Sequence, residues 1–153
     1  MKHMKSLCLS LLATAGMLVG VVMAAEDADP AGSTITVYKT PTCGCCKKWV
    51  THLQDNGFAV KTIDMNDLRM IKSMSGVAPE YSSCHTAKVG GYVIEGHVPA
   101  DDIRRLLVEK PDIRGLAVPG MPMGSPGMEG PRKDAYSVLA IGRDSDTSVY
   151  ATH

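Results

Sequence analysis

The stretch Ile35-Thr36-Val37-Tyr38-Lys39-Thr40-Pro41-Thr42-Cys43-Gly44-Cys45-Cys46-Lys47-Lys48-Trp49-Val50 decides the reading of this chain. Ile35 to Tyr38 alternates β-branched and aromatic residues, a strand signal. Thr40-Pro41-Thr42-Cys43-Gly44 has the composition of a turn. Beyond it, Cys46, Trp49, Val50 and Leu53 recur at helical spacing and make one apolar stripe. Asn56-Gly57 closes that helix with a left-handed cap. Three cysteines therefore stand where a strand turns into a helix.

Downstream, Phe58 to Ile63 reads as a second strand. Asp64 or Asn66 caps a short helix that runs to Met74, and Gly76 closes it. Val77 to Ser83 is a loop. His85 to Val89 and Tyr92 to Glu95 are β runs joined at Gly90-Gly91, a hairpin signal. A further helix starts near Pro99, with Asp101 and Asp102 in its first turn as partners of the helix dipole. Ile103, Leu106 and Leu107 are its buried face. Asp112 to Pro131 is a loop rich in Gly and Pro, and Tyr136–Ile141 with Ser148–Ala151 make a closing hairpin. A strand, a helix and a returning parallel strand, with an antiparallel pair behind them, resemble the thioredoxin fold. The expected architecture is an α/β thioredoxin-like sandwich of a mixed sheet with flanking helices, plus a C-terminal hairpin.

Upstream, Lys2 and Lys5 precede an apolar run from Leu7 to Val22, and Val22-Met23-Ala24 offers small residues for cleavage. That pattern is a secretory signal peptide over residues 1–24. Cys8 is expected to leave with it, and the run is too short and weakly flanked to be a membrane span. Residues 25–34 read as an acidic, mobile leader, and 35–153 as one domain, since 153 residues argue for one domain and two at most. Cleavage leaves 14 basic against 16 acidic side chains, a net charge of −2 with no basic stripe. Nucleic acid is thereby excluded as a partner. With one Trp and one Phe the core must be aliphatic.

The domain keeps Cys43, Cys45, Cys46 and Cys84. Three readings of them stay open. Cys43 and Cys46 have the spacing of a thiol–disulfide oxidoreductase, at a helix N-terminus that favours thiolates. Exported proteins commonly pair even numbers of cysteines, so two structural disulfides are the second reading, one of them tying down Cys84. Cys45 argues for the third. Neighbouring cysteines rarely bridge each other, and three thiols in four residues exceed one redox pair. Thiolates are soft ligands that select copper(I), zinc or iron–sulfur centres. Several copper(I) ions bridged by thiolates would use such crowding well. In a thioredoxin-like arrangement Cys84 faces the helix cysteines where a cis-proline normally shields the exchange site, and Ser82-Ser83-Cys84-His85-Thr86 has no proline. That departure favours metal over exchange.

Met121, Met123 and Met128 place thioethers in the Gly/Pro-rich loop, and thioethers also suit copper(I). Met65, Met70 and Met74 are expected to fill gaps in the core. His85 adjoins Cys84, but neighbours in a strand point to opposite faces, which counts against both binding one ion. His97 precedes a helix and is a weaker candidate than the cysteines. His52 is expected to be solvated and His153 free. There is no Gly-rich phosphate loop and no serine–histidine–acid set, so hydrolase and transferase chemistry is not indicated.

Four segments in order carry a resemblance: Thr40 to Trp49; Cys84-His85-Thr86-Ala87; Gly91 to Pro99; and Gly115 to Pro122 with Gly124-Ser125-Pro126-Gly127-Met128. Together they resemble the CopG-like periplasmic copper-resistance proteins, over roughly Ile35 to Ala151. The resemblance implies a thioredoxin-like fold, a cysteine-bound copper site, and a role in copper or silver tolerance. It further implies interconversion of Cu(I) and Cu(II), with other periplasmic copper-resistance proteins as partners. Residue by residue it carries onto Cys43, Cys45, Cys46 and Cys84, then onto Met121 and Met123.

Overall fold

A computed structural model describes residues 33–144 and 146–153. The predicted signal peptide and nearly all of the predicted leader lie outside the described residues. The elements run β1 (Ile35–Lys39), α1 (Gly44–Asp55), β2 (Val60–Asp64), α2 (Arg69–Met74), β3 (Thr86–Val89), β4 (Tyr92–Glu95), α3 (Ala100–Glu109), β5 (Gly115–Ala117), β6 (Ser137–Ile141) and β7 (Thr147–Thr152), with a 3-10 turn at Pro79–Tyr81. The fold is mixed α/β, as expected. Among the described residues no helix is long and apolar enough to cross a membrane.

All the strands join one sheet in the order β2-β1-β3-β4-β5-β6-β7. β1 pairs parallel with β2 and antiparallel with β3, and β3 pairs antiparallel with β4. Alternation on β1 sends Ile35 and Val37 into the core, where they meet Trp49 and Leu53 of α1 and Ile103 and Leu106 of α3. The Trp49 indole N–H donates to the Val98 carbonyl at 2.8 Å, so this large ring is buried without an orphaned donor.

Four expectations are corrected. β2 begins at Val60 rather than Phe58, because Phe58 is spent on the turn: its ring is buried and its amide donates to the Leu53 carbonyl. α2 begins only at Arg69, and Asp67 rather than Asp64 or Asn66 accepts the Arg69 amide at 2.9 Å. With six residues, α2 buries Ile71 alone, and Met70 and Met74 are 70% and 74% exposed instead of filling the core. The Gly/Pro-rich stretch contains a strand, β5, parallel to β4. Gly115 makes that pairing possible, since a Cβ there would fall 1.8 Å from the Val93 carbonyl oxygen. β5 in turn pairs with β6, so the C-terminal hairpin continues the main sheet.

Candidate metal centre

The site is assembled from two short connections at the same end of the sheet. The first is the β1–α1 turn. Cys43 occupies the N-cap of α1 with extended backbone, its amide donates to the Thr40 carbonyl at 3.2 Å, and its sulfur accepts the Cys46 amide at 3.3 Å. A sulfur thus takes the place of the usual capping oxygen, at the end of the helix that favours negative charge. Cys43 and Cys46 are joined as a disulfide, while Cys45 and Cys84 are free thiols. The second disulfide of the stapled reading is not formed.

The second connection leads into β3 and carries Cys84. The Cys45 sulfur lies 3.5 Å from that of Cys43 and 3.7 Å from that of Cys84. All four sulfurs lie within 4.8 Å of one another, so the sequence-predicted cysteines converge on one point.

Two histidines stand on the other side of Cys84. The His97 Nδ1 hydrogen bonds the Pro126 carbonyl at 2.7 Å as donor, which leaves the Nε2 lone pair facing the Cys84 sulfur at 2.9 Å. A ligating imidazole is commonly oriented by such a bond. The His85 Nδ1 lies 3.2 Å from the same sulfur, its Nε2 is buried without a partner, and its ring lies 4.3 Å from that of Trp49. Cys84, His85 and His97 form a second group within 4.8 Å, sharing Cys84 with the first. The strand argument against His85 therefore fails. Neither Cys84 nor His85 lies in β3, which begins at Thr86, so the two side chains need not point apart.

Burial governs the electrostatics. Desolvation pushes the Cys84 thiol up to about 12, and the neighbouring Cys45 adds to the shift. Desolvation also lowers both histidines, His85 the more strongly because it is the more deeply desolvated and because His97 and Lys72 then repel its proton. Without metal, the pocket holds a protonated Cys84 beside neutral imidazoles. All three can become ligands by giving up one thiol proton.

The loop after β5 covers this pocket with backbone. Pro126 bonds His97, and Gly127 lies so close to α1 that a Cβ would come 2.7 Å from the Cys45 carbonyl oxygen and 2.9 Å from the Trp49 nitrogen. Ser125 is fully buried and bonds the Pro122 carbonyl. Met121 is half exposed, and Met123 turns its methyl toward Gly130. Pro126 and Gly127 thus touch the two sides of the His–Cys pocket.

The remaining histidines depart from expectation. The His52 Nε2 accepts the Ala100 amide at 3.1 Å and so caps α3 instead of being solvated. His153 is not free: its Nε2 pairs with Asp102 at 2.7 Å and its ring stacks on Tyr136.

Residues 81–128 match a family model described as a protein of unknown function, DUF411. Among solved structures, the chain is similar to a copper resistance protein CopG in two forms. It is 48% identical to form 2, covering 79% of this chain and 98% of that one, with a TM-score of 0.76. To form 1 it is also 48% identical, covering 78% and 96%, with a TM-score of 0.74. No curated protein matches.

Proposed function

We propose, from the premise that the chain belongs to the CopG-like copper-resistance family, that it is an exported copper-binding protein whose cysteine cluster holds Cu(I) in the periplasm. The observation that carries this reading is the convergence of four sulfurs within 4.8 Å, on a helix N-terminus and a facing connection. Soft thiolates in such a group suit monovalent copper, and silver by the same chemistry. Several ions bridged by thiolates would suit the crowding of Cys43, Cys45 and Cys46. Met121 and Met123 are proposed as supplementary thioether ligands. His97 and His85 give the Cys84 side a nitrogen-bearing edge that tolerates Cu(II) better than sulfur alone. Residues 1–24 are proposed as the export signal and 25–34 as a leader.

The Cys43–Cys46 disulfide supplies a route between copper oxidation states. Two Cu(II) ions oxidise the Cys43/Cys46 dithiol to the disulfide, two thiol protons leave, and two Cu(I) ions result. An external dithiol would return the disulfide to the reduced form. A thioredoxin-type exchange role is not favoured, because the Cys43/Cys46 pair sits among two further thiols, and one of these, Cys84, also belongs to a group with two imidazoles.

Titration of the anaerobically reduced protein with Cu(I) against a competing chelator tests the proposal. Wild type is expected to bind at least about tenfold tighter than Cys45→Ser/Cys46→Ser, which has lost two of four soft ligands. Equal affinity would sink it.

A further inference from the structure

Glu95 is a buried carboxylate that the metal-binding reading does not use. It ends β4 with no exposed surface. Its Oε1 accepts the Ser83 backbone N–H at 2.7 Å and the Lys72 ammonium at 2.5 Å, and its Oε2 accepts the Thr86 hydroxyl at 2.7 Å. Lys72 also donates to the Thr86 oxygen at 3.1 Å. Ser83 and Thr86 are the two residues that bracket Cys84-His85. One carboxylate therefore holds both ends of the dipeptide that carries two candidate ligands.

The neighbours of Glu95 continue the grip. The Gly96 amide donates to the His85 carbonyl at 3.0 Å, and the His97 Nε2 faces the Cys84 sulfur. Gly96 has a φ of +72°, and a Cβ there would come 2.6 Å from the Ser83 Cβ. This tight bracing stands in for a sheet ladder, which Ser83, Cys84 and His85 do not have. Stability is a poor explanation for it. A buried ion pair contributes little over a well-packed apolar pair, because desolvation offsets the attraction. What an apolar pair could not provide is an acceptor for the groups on either side of Cys84.

We infer that Glu95, braced by Lys72, is a positioning residue of the metal centre: it fixes the Ser83–Thr86 connection so that the Cys84 sulfur stands ready beside those of Cys43, Cys45 and Cys46. The inference rests on the metal-binding reading for its purpose, but its geometry can be measured without metal. When the clamp is removed, the Cys43-Gly44-Cys45-Cys46 segment keeps its three thiols and Cys84 drifts out of the group.

Two variants of the reduced, full-length protein test this. Glu95→Gln keeps the volume but must turn an NH2 toward one of the donors. Lys72→Met/Glu95→Leu removes the pair together and leaves no unpaired charge, so the loss of stability is confined to the Ser83 amide and Thr86 hydroxyl left without an acceptor, and a folded protein is expected. In both, alkylation of metal-free Cys84 by iodoacetamide is expected to accelerate by about tenfold, as the local structure opens, with Cys45 unchanged. After loading with cobalt(II), the thiolate-to-metal absorption is expected to fall by about a quarter, from four thiolates to three, as in Cys84→Ser. A double variant with wild-type Cys84 reactivity and a wild-type cobalt spectrum would overturn the inference. So would equal acceleration of Cys45 and Cys84, which would mean general loosening. If wild type itself takes up no thiolate-bound metal, the metal-binding reading falls, and the Cys84 alkylation rates still decide the clamp.

Discussion

Cys84 shows how one side chain can belong to two groups. Its sulfur lies 3.7 Å from Cys45 on one side and 2.9 Å from the His97 Nε2 on the other. Burial keeps its thiol protonated, with a pKa pushed up to about 12, so a metal ion must displace that proton to bind. Uptake should accordingly strengthen with pH. For each proton released, the apparent Cu(I) affinity is expected to rise about tenfold per pH unit between pH 6 and 8. Competition titrations at several pH values measure that slope, and Cys84→Ser should lower it by one proton. The cysteines were legible in the sequence because thiols in that crowded spacing have few uses. The histidines were not. Alternation along a strand would turn His85 away from Cys84, but the strand starts one residue later, and no local pattern announces where a strand begins.

At the scale of elements, α1 is legible because an apolar stripe, a preceding turn and Asn56-Gly57 all agree, although Gly44, which has the composition of the turn, already belongs to the helix. β5 escaped because three residues beginning with glycine carry no periodic signal, and only the parallel neighbour β4 makes them a strand. The loop after β5 carries thioethers that the sequence makes visible, and its backbone contacts at Pro126 and Gly127 are visible only in the fold. Gly127 has a φ of +86° and no space for a Cβ. Gly127→Ala is therefore expected to lift this loop, since left-handed backbone costs about 1–2 kcal/mol for a non-glycine residue and the overlap with Cys45 and Trp49 adds to it. Hydrogen exchange should show residues 121–130 losing protection while β1, β3 and β4 keep theirs. Unchanged protection in the loop would mean that Pro126 does not depend on Gly127 for its hold on His97.

At the scale of the whole molecule, the described residues form one sheet with one core, which the sequence suggests only in part. A closing hairpin could be read from Tyr136 onward, but its attachment could not, because the attachment is β5. Val138 and Ala140 of β6 share the buried cluster with Ile35, Trp49 and Ile103, and His153 is tied to Asp102 at the start of α3. The C-terminus is thus part of the cooperative unit that carries the metal site. Val138→Ala, which deletes two buried carbons and leaves a small cavity, is expected to cost about 2 kcal/mol. Thermal unfolding followed by far-ultraviolet circular dichroism should show one shifted transition. Two separate transitions would show that the hairpin is an appendage.

Trp49 is the only tryptophan in the chain, and its ring lies tilted against that of His85, one residue from Cys84. The protein consequently carries its own optical reporter at the place of interest. Excited at the red edge, where the five tyrosines do not absorb, its fluorescence comes from a single indole beside a candidate ligand, with no second tryptophan to dilute it. Metal arrival, disulfide reduction and the binding of a partner over the Pro126–Gly127 loop can each be followed by that emission, in unlabelled protein and in real time.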